Sequence, residues 1–126
     1  MSQEQQIIDG LKALSQKAHG ASRKAGWYTN LKTGEPLDRN VGEMLMLIVS
    51  EVSEAMEGYR KNLMDDKLPH RRMIEVELAD TIIRIGDIAG YLGLDIGGAV
   101  IEKMDFNGNR EDHKIENRKA EGGKAF

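Results

Sequence analysis

Two carboxylate pairs have the spacing that chemistry requires: Glu51-x-x-Glu54 within EVSEAMEGYR and, after 22 intervening residues, Glu77-Leu-Ala-Asp80. At i, i+3 spacing the two acids of a pair share one face of a helix. On a helical wheel, Leu45, Ile48, Val52, Met56 and Tyr59 set the expected core direction of the first of these segments. Glu51 lies about 100° from that centre, yet among Met44, Leu47, Ala55 and Gly58, with Glu54 at the border of the apolar arc. The second segment repeats the plan. Ile74, Leu78, Ile82, Ile85 and Ala89 set its expected core, and Glu77 lies among Met73, Thr81 and Ile88, with Asp80 in the place of Glu54. A short connection makes two such helices antiparallel neighbours, so four acids converge. Buried carboxylates without partners repel one another and lose hydration, and a bound cation removes both penalties. Oxygen-only ligands favour a hard ion, Mg²⁺ or Mn²⁺, over Zn²⁺. Di-iron carboxylate bundles need Glu-x-x-His, and His19, His70 and His113 follow neither pair. The competing reading of each pair alone is a solvated helix face.

A second constellation is basic. Lys103, Asn107 and Arg110 fall at i, i+4 and i+7, one stripe with two cations and an amide suited to phosphate oxygens. Lys61, seven residues beyond Glu54, could join them or be a plain surface lysine at a helix end. Trp27 and Tyr28 sit in a glycine-bracketed loop ahead of the acidic helix and could stack on a base, with Asn30 reading its edge. Trp27 as a plug at the end of the helices is the alternative. His19 and His70 read as surface residues, Phe106 as core or interface, and Arg84 with Asp87 as a structural ion pair.

The elements that must position these groups are helical. Ile7, Leu11, Leu14 and Ala18 mark a first amphipathic helix expected to end near Gly20. GWYTNLKTGEPLDRN, with Gly26, Gly34 and Pro36, reads as a loop. Asp38 or Asn40 can cap a helix to about Asn62, and Pro69 suits the first turn of a third that stops at Gly93. Asp95 can cap a shorter fourth that fades near Gly108. No strand-period run of useful length occurs, so the expected fold is all-α: an antiparallel bundle of about four helices forming a single domain over residues 1–126. The motifs occupy 40–110, and 111–126 reads as a mobile or partner-docking tail. The 21 acidic and 18 basic residues, net charge −3, are mixed along the chain and offer no basic patch for a nucleic acid polymer. Without cysteine there is no disulfide framework and no thiolate chemistry. No apolar run approaches the roughly 20 residues that cross a bilayer, so a soluble cytoplasmic protein with no membrane partner is expected.

Taken together, Glu51-x-x-Glu54, Glu77-Leu-Ala-Asp80 and the Lys103, Asn107, Arg110 stripe resemble the MazG-like all-α nucleoside triphosphate pyrophosphohydrolases. That superfamily includes dimeric dUTPases and dCTP pyrophosphatases. The likeness runs from about Asn40 to Arg110 and is specific for the superfamily, not for a member. It implies Mg²⁺-dependent hydrolysis of a nucleoside triphosphate to monophosphate and pyrophosphate, in an oligomeric four-helix core. It further implies that Glu51, Glu54, Glu77 and Asp80 ligate metal, that Lys103, Asn107 and Arg110 contact phosphate, and that surplus or non-standard nucleotides are cleared. For proton transfer from the attacking water, Glu51 and Glu54 are both candidates.

Two rivals stand beside that reading: a nucleotide-binding regulator without turnover, and a helical interaction module whose acids are solvated decoration. The apolar arcs of the two central helices span roughly half their circumference, wider than the stripe of about 100° that packing on one side requires. Met44, Leu47 and Tyr91 extend that surface beside the acids, so a homo-oligomer, dimer or tetramer, is expected.

Overall fold

Asn40 begins the acid-bearing helix as expected. Its side-chain oxygen accepts from the Glu43 amide at 3.0 Å, which satisfies one of the helix's orphan donors. In the computed structural model, which describes residues 1–126, the chain is helical: α1 (Gln3–Lys24), α2 (Val41–Arg60), α3 (Met73–Leu92), α4 (Ile96–Gly108) and α5 (Ile115–Lys119), with a 3-10 turn at Glu111–His113. The only β-type pairings are the isolated bridges Thr29–Pro36 and Met64–Arg72. No helix is long and apolar enough to cross a membrane. Two compact units are present, residues 13–94 and residues 1–12 with 95–126.

Several boundaries differ from expectation, each for a local reason. Helix α1 runs through Gly20 to Lys24, because Ala21, Arg23 and Lys24 favour helix and cationic side chains suit its last turn. Pro69 lies outside α3. The buried Asp65 accepts from the amides of Lys67 (3.0 Å) and Leu68 (2.8 Å), folding 65–71 into a turn and delaying the helix to Met73. Glu75 then accepts from the Arg72 amide at 3.2 Å to seal that N-terminus. Helix α3 stops where expected, with Gly93 in the left-handed region at φ 68°. Asp95 caps α4 by accepting from the Gly98 amide at 2.9 Å. Beyond Arg110, the stretch expected to be a tail carries the 3-10 turn and α5.

Within residues 13–94, α2 and α3 form an antiparallel hairpin. Gly58 faces Met73 at one end, and Met44 packs with Ile88 and Tyr28 at the other. The buried face is only in part the one the wheel predicts: Ala89 is buried and Ile48 packs on the core as expected, but most of the expected positions are not buried. Met44, Ala55 and Gly58 are buried on α2, and Glu77, Thr81, Gly86, Ile88 and Ala89 on α3. Leu45, Val52, Leu78 and Ile82 are exposed, and Met56 and Tyr59 are each 64 % exposed. Periodicity locates the centre of an apolar arc. Which side of a wide arc packs within the chain depends on shape, and the small residues Ala55 and Gly58 let α2 approach α3 on the acidic side.

Helix α1 uses the same device against α3. The Ser15 hydroxyl donates to the Gly86 carbonyl at 2.7 Å, and one turn on, a Cβ added to Gly90 would lie 2.5 Å from the Cβ of His19. Both atoms are fixed to backbone, so relief requires the helices to part. Gly90→Ala is therefore expected to destabilise by about 1–3 kcal/mol despite its better helix propensity. Urea unfolding checks this; a stabilised variant would show that the approach is looser.

Candidate functional site

The antiparallel hairpin brings the two carboxylate pairs together. Glu51, Glu77 and Asp80 each offer an oxygen, all within 4.8 Å of one another, a group that can hold a metal ion. Their environments are unequal. Glu77 is only 8 % exposed, and its Oε2 is buried without a hydrogen-bond partner. Burial, reinforced by the neighbouring Glu51 and Glu54 carboxyls, pushes its pKa from 4.5 up to about 8. Burial also raises Asp80. Glu51, Asp65 and Glu54 add to the rise, and Arg84 opposes it. Glu54 is exposed and stands outside the closely spaced triad, although its carboxyl neighbours that of Glu77. An orphaned, buried carboxylate oxygen facing two further acids fits a bound cation, since a buried polar atom without a partner is otherwise costly.

Beside the acids is a cavity of about 650 Å³. Glu51, Asp80, Arg84 and Asp87 contribute to its walls, with apolar surface from Met44, Leu47, Ile83, the α1 alanines Ala18 and Ala21, and Ala25 just beyond the end of α1. Trp27 and Arg39 complete the lining from the loop side. Arg39 is held by its own contacts, donating from Nη1 to the Trp27 carbonyl at 3.3 Å and lying 5.5 Å over the Tyr28 ring. Tyr28 is buried and donates to Asp87 Oδ1 at 2.8 Å; burial and that carboxylate push its pKa up. His19 Nδ1 lies 2.9 Å from the same oxygen, and the Tyr91 hydroxyl accepts from the Arg39 amide at 2.9 Å. Tyr28 is thus a packing and hydrogen-bonding residue behind Arg39 and Asp87 and not part of the cavity lining, while Trp27, 64 % exposed, belongs to the cavity wall.

The expected ion pair of Arg84 with Asp87 does not form. Arg84 Nε donates to Glu51 Oε1 at 3.1 Å, and Asp87 is taken by Tyr28 and His19. The reason is antiparallel pairing: Arg84, one turn beyond Asp80, reaches the facing helix α2, where an acid is waiting. His19, read as a surface residue, is mostly buried against Asp87. Asn30 spends its side-chain oxygen inside its own loop, accepting from the amides of Lys32 and Thr33.

The other expected phosphate contacts are placed as follows. Lys61 pairs with Glu57 at 2.7 Å and is not in the cavity lining. The α4 stripe belongs to the unit containing 95–126. There Lys103 Nζ and the Arg110 guanidinium lie 4.7 and 5.8 Å from the Phe106 ring centre. Arg110 already holds Asp112 through Nε at 3.0 Å and Nη2 at 2.8 Å, and Asn107 Oδ1 is buried without a partner.

Arg84, Arg39, Asp87 and Asp65 were not singled out for the site by sequence. Arg84 at i+4 and Asp87 at i+7 from Asp80 were the legible signals, both on α3; Arg39 and Asp65 lie in loops that periodicity does not describe. Comparison of the chain with protein-family models, curated proteins and solved structures gives no match.

Proposed function

We propose that the chain is a Mg²⁺-dependent nucleoside triphosphate pyrophosphohydrolase, with Mn²⁺ able to substitute, acting in nucleotide-pool control. The observation that carries this reading is the convergence of Glu51, Glu77 and Asp80 around the unpartnered, buried Oε2 of Glu77. When bound there, Mg²⁺ supplies charge neutralisation for the triphosphate and acidifies a water. The residues of the chain do the rest. Glu51, Glu77 and Asp80 hold the cation. Glu54, exposed and outside the triad, is the carboxylate least committed to ligation and accepts the proton of the attacking water, a role that Glu51, engaged by Arg84, fills less well. The bond broken is the one between the α-phosphorus and its bridging oxygen to the β-phosphate, and pyrophosphate leaves. The apolar walls and Trp27 offer a slot for a base. Lys103, Asn107 and Arg110 remain candidate phosphate contacts, with Arg110 exchanging Asp112 for phosphate.

The direct test is a panel of canonical and modified NTPs and dNTPs with Mg²⁺, scored for pyrophosphate. Release from at least one member supports the reading; triphosphate binding with no release favours a regulator. Trp27→Ala should change the ranking among bases while barely moving the folding midpoint, because a side chain this exposed has little burial to lose. An unchanged ranking would return Trp27 to packing.

The exposed stripe of Leu45, Val52, Met56, Tyr59, Leu78 and Ile82 supports a homo-oligomer, dimer or tetramer, that completes a four-helix core. Light scattering at micromolar concentration is expected to give at least a dimer, and a stable active monomer would refute it. A pure interaction module would use the same stripe, but would show no stabilisation by Mg²⁺.

A further inference from the structure

The cavity beside the acids contains a cation whose hydrogen-bonding capacity is mostly unspent. Arg84 sits one helical turn after Asp80 and donates from Nε to Glu51 Oε1 at 3.1 Å. Its two terminal amino groups have no hydrogen-bond partner in the protein, and its side chain is 42 % exposed, at the cavity wall. An arginine facing a carboxylate for structural ends commonly closes a two-pronged pair. Arg110 does so here, holding Asp112 with Nε at 3.0 Å and Nη2 at 2.8 Å. Arg84 instead makes a single contact. A pair at a side chain this exposed contributes little to stability. What the single contact does is orient the planar fork, leaving both Nη groups free beside the triad.

We infer that Arg84 is a phosphate-binding residue for the triphosphate, held in register by Glu51; this rests on the pyrophosphohydrolase reading above. A cation on the triad satisfies the acids that otherwise compete for the guanidinium. A phosphate oxygen bridging toward that cation would then lie beside the free donors of Arg84, whose planar geometry matches phosphate. The acids would hold the metal and Arg84 the charge that the metal leaves uncovered, both from one helix hairpin.

Calorimetry with Mg²⁺ alone, and then with inorganic triphosphate in saturating Mg²⁺, tests this without reference to any base. Arg84→Ala should weaken triphosphate binding about tenfold or more, the loss expected for charge-assisted hydrogen bonds to phosphate. Mg²⁺ binding alone should be kept or tightened, since a competing positive charge is gone. Arg84→Lys should recover part of the triphosphate affinity, keeping the charge and losing the fork. Arg71→Ala, at an exposed residue outside the cavity, should bind as wild type. Should Arg84→Ala fail to fold, Arg84→Gln, which keeps a donor for Glu51, carries the same expectations. Wild-type triphosphate affinity in Arg84→Ala, or an equal loss for Mg²⁺ alone, overturns the inference and leaves the function standing. A wild-type protein that takes up neither Mg²⁺ nor triphosphate overturns both.

Discussion

Glu54→Gln and Asp80→Asn are expected to abolish turnover by different routes. Glu54 stands outside the oxygen triad and is exposed, so its amide variant should still bind Mg²⁺. If Glu54 accepts the attacking water's proton, as proposed, kcat should fall about 10²- to 10⁴-fold with little change in metal affinity. Asp80 is one of the three converging carboxylates. Its amide variant should lose Mg²⁺ binding, and with it both activity and metal-dependent stabilisation, while circular dichroism reports unchanged helix content. Titrating Mg²⁺ against each purified variant, with pyrophosphate release measured in parallel, separates the two roles. Near wild-type activity in both variants would sink the site. Loss of metal binding in both would make Glu54 a ligand and leave the general base to be sought elsewhere.

The second large effect is a pH dependence of stability and metal binding centred on Glu77. Its pKa in the fold is raised to about 8, against an ordinary value of 4.5. Between those values the folded chain retains a proton at this carboxyl that the unfolded chain has released. Stability from this group is therefore fully present below pH 4.5 and is lost progressively as pH rises toward 8, then levels. Mg²⁺ requires the ionised form, so its apparent affinity should climb with pH by about tenfold per unit and flatten above 8. Consequently the rise in Tm produced by Mg²⁺ should be larger at pH 8.5 than at pH 6. Glu77→Gln cannot ionise. It should flatten the metal-free stability profile over this range, hold its Tm at alkaline pH as well as or better than the parent, and show no Mg²⁺ response. Parallel profiles for parent and variant, with and without Mg²⁺, would show that Glu77 neither titrates there nor ligates.

These two experiments also divide the rival readings. A nucleotide-binding regulator would reproduce the Glu77 behaviour and fail the turnover assay with every substrate. An interaction module would fail the metal titration at the start, because only a ligand that prefers the folded state raises its stability.

The helical class, the caps at Asn40 and Asp95, and the stop at Gly93 were legible in the sequence because each depends on neighbours within a few residues. So was the convergence of Glu51, Glu77 and Asp80, although Glu54, expected with them, stands outside the close group. Two i, i+3 pairs on consecutive helices joined by a short loop can meet only if the helices run antiparallel, and they do. Tertiary structure decided which face of each wide apolar arc is buried within the chain. The wheel placed Leu45, Val52, Met56 and Tyr59 inside, whereas close approach through Ala55 and Gly58 buries the acidic side and leaves those residues exposed. Pairing partners were likewise undetermined by spacing. Arg84 could have met Asp87 on its own helix and instead spans to Glu51 on α2, while Asp87 is claimed by Tyr28 from the loop and His19 from α1. Local sequence fixes where helices begin, end and turn a side chain. The choice among several charged groups within reach is made by distance and burial across elements, and those exist only once the helices have packed.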